Sequence, residues 1–285
     1  MIRLAIPNKG RIVADIMRLL DRIGLEVPEN GRKLYANTSN PNIQVVYARA
    51  ADIPLYVESG AADLGITGED MVCESKAKVN NLLRLNFGRC KIVLAAPRDS
   101  KIKSPADYPK GLRVATTLVN TARDYFEARK VGCRIVRLSG AIELAPYLGI
   151  ADVILDQVST GTTLAANNLS VVDTIADSSI CLIANSKSIK EKENEVDELK
   201  VSLESVIIAE SKRYIMANAT SDETLDLVLS VMPSMESPTV LKLSKEGTYA
   251  VHSVVNAADL IQTLRKLKQA GAKDMLVMNM SRVVE

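Results

Sequence analysis

Asp152-Val153-Ile154-Leu155-Asp156-Gln157-Val158-Ser159-Thr160-Gly161-Thr162-Thr163-Leu164 decides how this 285-residue chain is read. Val153-Ile154-Leu155 is a short branched apolar run, the pattern of a strand buried on both faces, and it ends at an acid, Asp156. In the turn that follows, Ser159, Thr160, Thr162 and Thr163 surround Gly161 with hydroxyls. Glycine lets backbone N–H groups come close to an anion, and Leu164-Ala165-Ala166 opens a helix whose N-terminus favours negative charge. Such a turn cradles a phosphate monoester. The same residues also make an ordinary strand, turn and helix cap.

Around this stretch the chain alternates strands and helices. Upstream, strands at Arg113–Thr116 and Arg134–Arg137 flank a helix at Ala122–Lys130, and Glu143 precedes the loop. Downstream, Val171–Ile175 and Ile180–Ala184 return the chain to its first part. That first part predicts strands at Arg3–Ile6, Ile43–Ala48 and Leu64–Thr67, with helices at Ile12–Ile23 and Pro54–Ser59. The expectation is a mostly parallel sheet that gathers ligands at its carboxyl ends. At those ends stand Lys9-Gly10-Arg11, then Arg49, then Gly68-Glu69-Asp70. Each is weak alone, since Asp52 and Asp70 also suit helix caps and the basic pair suits a solvated helix start.

A continuous apolar strand, Lys91–Pro97, leads into a second α/β unit, giving two lobes joined by two crossings with a cleft between them; hinged pairs of this kind close on ligands. Lys187–Lys200 reads as a solvated linker helix. Beyond it come strand Tyr214–Ala217, helix Glu223–Val231, strands Thr239–Leu243 and Tyr249–Val255, helix Ala257–Ala270 and strand Met275–Met280, the βαββαβ order of a ferredoxin-like module. The fold class is therefore α/β: a two-lobed, periplasmic-binding-protein-like region plus a C-terminal ferredoxin-like domain. The expected bounds are 1–88 with 176–212 for the first lobe, 89–175 for the second and 213–285 for the module.

Composition narrows the function. With 47% hydrophobic and 25% charged residues the chain is globular, and a net charge of +2 with 4% aromatic residues argues against nucleic acid. Cys73, Cys90, Cys133 and Cys181 show neither zinc nor redox-pair spacing, which suits a reduced cytoplasmic protein. The N-terminus shows no export signal and no apolar run is long enough to span a bilayer, so neither secretion nor membrane insertion is expected.

The loop resembles the phosphoribosyl-pyrophosphate loop of phosphoribosyltransferases, although Gln157 stands where many of them carry a second acid. With Thr163-Leu164 and Asn167 it is similar to the ATP phosphoribosyltransferases that open histidine biosynthesis. Pro7-Asn8-Lys9-Gly10-Arg11, Arg32-Lys33-Leu34, the Arg49-x-x-Asp52-Ile53-Pro54-x-Tyr56-Val57 segment and Gly60-Ala61-Ala62-Asp63-Leu64-Gly65-Ile66-Thr67-Gly68-x-Asp70 resemble that family's motifs in family order. The resemblance covers the first two domains.

It implies that Asp156 and Ser159, Thr160, Gly161, Thr162 and Thr163 hold phosphoribosyl pyrophosphate, with Asp156 also contacting Mg2+. Arg49, Lys9, Arg11 and Arg32 would serve catalysis, and Lys9, Gly10, Arg11, Asp70 and Glu143 the ATP. Pro238-Thr239 and Gly271-Ala272 resemble the long form, whose last domain binds histidine as an inhibitor, here through Asn218, Thr239 and Ala272. A homo-oligomer, dimer or hexamer, is implied as well.

The chemistry fits what the chain lacks. Its sole histidine, His252, falls in a predicted strand of the C-terminal module, so imidazole catalysis in the cleft is not expected. None is required, because N1 of adenine attacks with a free lone pair and the protein must align two polyanions and stabilise departing pyrophosphate. The rival reading is a two-lobed small-anion-binding protein without catalysis.

Overall fold

The computed structural model describes residues 1–28, 34–235 and 237–284. The chain forms two compact units, Met1–Lys200 and Val201–Glu285. In order, the first contains β1 (Ile2–Pro7), α1 (Val13–Arg22), β2 (Tyr35–Asn37), β3 (Ile43–Ala48), α2 (Ile53–Glu58), β4 (Leu64–Gly68), α3 (Glu69–Ser75) and β5 (Asn80–Arg84). It continues through β6 (Cys90–Pro97), β7 (Leu112–Thr116), α4 (Val119–Ala128), β8 (Cys133–Arg137), α5 (Leu144–Tyr147), β9 (Val153–Val158), α6 (Thr162–Ala166), β10 (Leu169–Ser178), β11 (Ile180–Ala184) and α7 (Ser186–Glu191). Helix α8 (Glu193–Glu210) contains the division between the units. The second unit adds β12 (Lys212–Ala219), α9 (Asp222–Val231), β13 (Thr239–Lys242), β14 (Tyr249–Asn256), α10 (Leu260–Gln269) and β15 (Lys273–Met278).

The first unit has two lobes, each built on its own sheet. One sheet has the order β2-β3-β1-β4-β11-β5 and the other β10-β6-β9-β7-β8. The chain crosses once between β5 and β6 and returns between β10 and β11. The first sheet is mixed and not mostly parallel as expected. Only β1 with β3 and β1 with β4 are parallel in the first sheet, while β2, β5 and β11 pair antiparallel. The returning strand β11 causes most of this: it arrives from the other lobe and inserts between β4 and β5. Its five residues are all buried.

Strand β9 sits at the middle of the second sheet, antiparallel to β6 and parallel to β7. Val153 and Leu155 pack with Phe126 and Leu112 on one side, and Ile154 packs with Leu164 and Leu169 on the other. Alternate residues of a strand face opposite sides, so burial on both demands an unbroken apolar run, each side chain contributing about 1.5–3 kcal/mol. Asp152 fixes the entry to this strand. Arg113 donates to its two carboxylate oxygens from Nη2 at 2.7 Å and from Nε at 3.2 Å.

The second unit has the expected βαββαβ order, with an all-antiparallel sheet β13-β14-β12-β15. Ile215 and Ala217 of β12 and Val251 and Val255 of β14 face Val228 and Leu267 of the two helices. The charged run at Lys187–Lys200 forms two helices: α7, which Asn185 caps through bonds from the Lys187 and Ser188 amides, and the start of α8, the break falling at Lys192, whose backbone leaves the helical region.

Candidate active site

Strands β1 and β3 run parallel in register, so Asn8 and the end of β3 meet: the Asn8 amide donates to the Ala48 carbonyl at 2.8 Å. Lys9 and Arg49 therefore leave the sheet side by side. Both are exposed, and among the described residues neither side chain has an ion pair or hydrogen bond. Beside them, Thr67 at the end of β4 donates from its hydroxyl to the Ala50 carbonyl at 2.8 Å, tying the Arg49 turn to the strand that delivers Asp70. Arg32 lies outside the described residues.

From the other lobe, β9 delivers Asp156, Gln157 and the hydroxyl-rich loop. Arg11 and Glu143 join Asp156, Ser159, Thr160, Gly161 and Thr163 around a cavity of about 130 Å³. Arg11 reaches across to this loop and donates from Nη1 to Ser159 Oγ at 2.5 Å. Thr160 and Thr162 share a hydrogen bond between hydroxyls at 2.9 Å. Gly161 adopts φ +76°, and a methyl group there would meet no other atom within 4 Å. The loop helix begins at Thr162, two residues earlier than expected, and is only five residues long. The donors this turn presents are thus the loop's amides and hydroxyls more than a long helix dipole.

Two carboxylates of the site, Asp156 and Asp70, are held up in pKa by their surroundings. Burial pushes Asp156 up to about 6, with the neighbouring Glu143 charge adding to it, against the stabilising bond from the Gln157 amide. Burial likewise raises Asp70, although Ser178 donates to Asp70 Oδ1 at 2.9 Å and accepts from its amide at 3.1 Å. Gln157 Nε2 donates to the other oxygen, Asp70 Oδ2, across the cleft. A Cβ on Gly68 would fall on this carboxylate, so glycine is needed where the Asp70 side chain folds back.

The structure therefore brings Arg11, Glu143, Asp156 and the loop into one cavity and links it to Asp70 through Gln157. Ser178 is the functional neighbour that the sequence does not reveal. It lies 108 residues from Asp70, at a crossing whose local pattern carries no chemistry. Gln157 was visible only as a departure from a paired acid.

Among the described residues no group of three or more His, Cys, Asp or Glu forms a metal cage. Asp156 and Glu143 are instead a carboxylate pair open to a ligand cavity. Such a donor set suits magnesium, which commonly takes one or two carboxylates and completes its shell with substrate phosphates and water.

In the second unit, Thr239 pairs with His252, and both line a cavity of about 360 Å³ with Tyr214. Asn218 pairs with Ala250, one same-face position along from Met216 opposite His252. Asn218 Nδ2 donates to Asp274 Oδ2 at 3.3 Å, and its buried Oδ1 has no partner among the described residues. The Ala272 side chain is buried in the apolar cluster with Val228 and Leu267, so it offers a ligand only its backbone.

Comparison with known proteins fits this arrangement. The family model described as ATP phosphoribosyltransferase matches residues 49–205, and the model of that family's C-terminal domain matches 209–282. The chain is similar to the ATP phosphoribosyltransferase of Methanocaldococcus jannaschii, 45% identical over 100% of both chains. It is 43% identical to that of Methanothermobacter thermautotrophicus over 99% of each. Among solved structures it is similar to a chain of the ATP phosphoribosyl transferase (HisG:HisZ) complex from Thermotoga maritima, 31% identical with a TM-score of 0.64. That alignment covers 72% of this chain and 97% of that one. By full-length identity and by both domain models, this chain belongs to the ATP phosphoribosyltransferase family, whose members carry out the first step of histidine biosynthesis.

Proposed function

We propose that the cleft transfers the 5-phosphoribosyl group of phosphoribosyl pyrophosphate to N1 of ATP, giving phosphoribosyl-ATP and pyrophosphate, with the residues above in the following roles. The single observation that carries the assignment is the meeting of Arg11 with Ser159, which joins the basic turn of one lobe to the phosphate loop of the other. The loop hydroxyls and amides of Ser159–Thr163 hold the 5-phosphate, and Asp156 faces the ribose hydroxyls. Lys9, Arg49 and Arg11 take the pyrophosphate and triphosphate oxygens. Guanidinium and ammonium groups suit that work because they stabilise charge on the leaving group without proton transfer. Asp70 and Glu143 face the nucleotide.

Magnesium would be held by Asp156, with Glu143 beside it, and would neutralise charge on the departing pyrophosphate. We divide the chain by role into 1–88 with 176–212 and 89–175, whereas compactness divides it at Lys200 and β10 of the second sheet runs on to Ser178. The domain at 213–285 is the histidine sensor, with Asn218, Thr239 and the Ala272 backbone as its contacts, acting within a homo-oligomer. The four free cysteines, two of them buried, suit a reducing cytoplasm.

The test is pyrophosphate release with both substrates and magnesium, together with mass detection of phosphoribosyl-ATP. Release that needs both substrates supports the assignment. Binding of both without turnover would return the anion-binding reading.

A further inference from the structure

We infer that Gln157 is a positioning residue that ties the phosphoribosyl half of the site to the nucleotide half by holding Asp70 across the cleft. This rests on the reaction proposed above. Gln157 follows Asp156 directly and its amide donates to Asp156 Oδ1 at 2.7 Å, so its backbone belongs to the phosphoribosyl side. Its side chain leaves the second sheet and donates from Nε2 to Asp70 Oδ2, at the start of α3 on the first sheet. The other Asp70 oxygen is taken by Ser178, which lies where β10 ends at the return crossing. Asp70 is thus gripped by one residue from the crossing and by one from the phosphate-loop strand.

The residue type matters. A second acid at 157 would set one carboxylate against another in a buried place where the first is already disfavoured by burial and by Glu69. The amide instead gives Asp70 a donor, and a donor to a charged partner is worth more than one to a neutral group. Two other polar bonds of the site span the two sheets: Arg11–Ser159 on the phosphate side, and Ser178–Asp70 at the return crossing, where the chain itself joins the sheets, so only Gln157–Asp70 runs from the phosphate-loop strand to the nucleotide side. Gln157–Asp70 is therefore the contact through which filling the phosphate loop favours the closed nucleotide side.

The experiment compares Gln157→Leu, Gln157→Glu and Gln157→Glu with Asp70→Asn in the full-length protein. Phosphoribosyl pyrophosphate binding is measured calorimetrically without ATP, and KM for ATP and kcat are measured at saturating phosphoribosyl pyrophosphate. Lobe closure on adding phosphoribosyl pyrophosphate is read by small-angle scattering. Gln157→Leu should raise KM for ATP by about tenfold to a hundredfold, the loss expected for one hydrogen bond to a charged group, and should weaken phosphoribosyl pyrophosphate by a smaller factor, because coupling between the two halves acts in both directions. Gln157→Glu should abolish closure. The double variant reverses the bond, with an amide at position 70 donating to a carboxylate at position 157, and should restore closure whatever its activity.

Unchanged or lowered KM for ATP in Gln157→Leu would overturn the inference, as would a double variant no more closed than Gln157→Glu alone. Absence of transfer by the unmodified protein would instead remove the underlying reaction, so the two failures are distinct.

Discussion

Arg11 Nη1 lies 2.5 Å from Ser159 Oγ although 148 residues of chain separate the two. Arg11 leaves the first βα turn of one lobe and Ser159 opens the phosphate loop of the other, so this bond exists only when the two sheets face each other. Arg49 leaves the neighbouring strand with no side-chain partner among the described residues. A planar guanidinium can grip two phosphate oxygens at once, whereas an ammonium keeps the charge and loses the fork. Arg11→Lys and Arg49→Lys should each lower kcat/KM at least about tenfold, corresponding to about 1.4 kcal/mol of lost transition-state binding. Both side chains are exposed, so thermal melting should hold. If melting falls in step with activity, these arginines are structural.

Gly161→Ala and Thr160→Val probe the phosphate loop in different ways. The alanine methyl would touch no protein atom, so its cost comes from the backbone: φ +76° is a left-handed conformation that costs a side chain about 1–2 kcal/mol. That variant should melt lower and bind phosphoribosyl pyrophosphate more weakly. Thr160→Val leaves the backbone alone, removes the hydroxyl that meets Thr162, and should weaken phosphoribosyl pyrophosphate by about 1.5–3 kcal/mol with ATP little affected. Calorimetry with each substrate separates these outcomes. Equal losses for both substrates would count against the loop assignment.

The loop was legible because its signal is local. Val153-Ile154-Leu155 must be apolar to lie between two cores, and Gly161 takes a positive φ that glycine adopts at least cost. Both demands are written within a few adjacent residues. Strand β11 was legible as a strand, but its insertion antiparallel between β4 and β5 was not, because pairing is set by where the return crossing lands. Ser178 was hidden for the same reason. A serine at a strand end carries no chemistry until a partner 108 residues away arrives beside it. Short elements such as β2, α3 and β5 also escaped, since they are mostly exposed or half-buried and carry no apolar run to register.

Asp156→Asn should separate stability from activity. Burial with Glu143 nearby raises this carboxyl to about 6, so the folded state keeps its proton over a range in which the unfolded chain, at about 4, has lost it. A raised acid pKa makes the folded state relatively more stable below about pH 4 and takes that advantage away as pH rises through 6. At pH 7 the charged group is therefore a burden. Asp156→Asn should gain about 1–2 kcal/mol there after allowance for solvent screening, while gaining nothing at about pH 4. Transfer should fall sharply, because the carboxylate proposed to face ribose and magnesium is gone. Denaturant melts at the two pH values, with activity at pH 7, check both halves, and equal stability changes at both would refute the burial argument.

In the second unit, Asn218 offers a buried Oδ1 with no partner among the described residues, an acceptor suited to an ammonium group, and exposed Thr239 offers a hydroxyl on an edge strand beside the cavity that holds His252. Histidine is a zwitterion that needs both kinds of contact. None of the proposed catalytic side chains comes from this unit, so a ligand bound there can inhibit only by preferring one state of the protein over another. Thr239→Val and Asn218→Ala in the intact chain should therefore weaken histidine binding by calorimetry and raise the histidine needed for inhibition, while leaving kcat without histidine unchanged. The loss should be about 1–3 kcal/mol for Asn218→Ala, the range for one hydrogen bond to a charged group with desolvation included. Scattering with and without histidine should also differ for the unmodified protein and not for the variants. Histidine binding that survives both substitutions would place the inhibitor elsewhere in the chain.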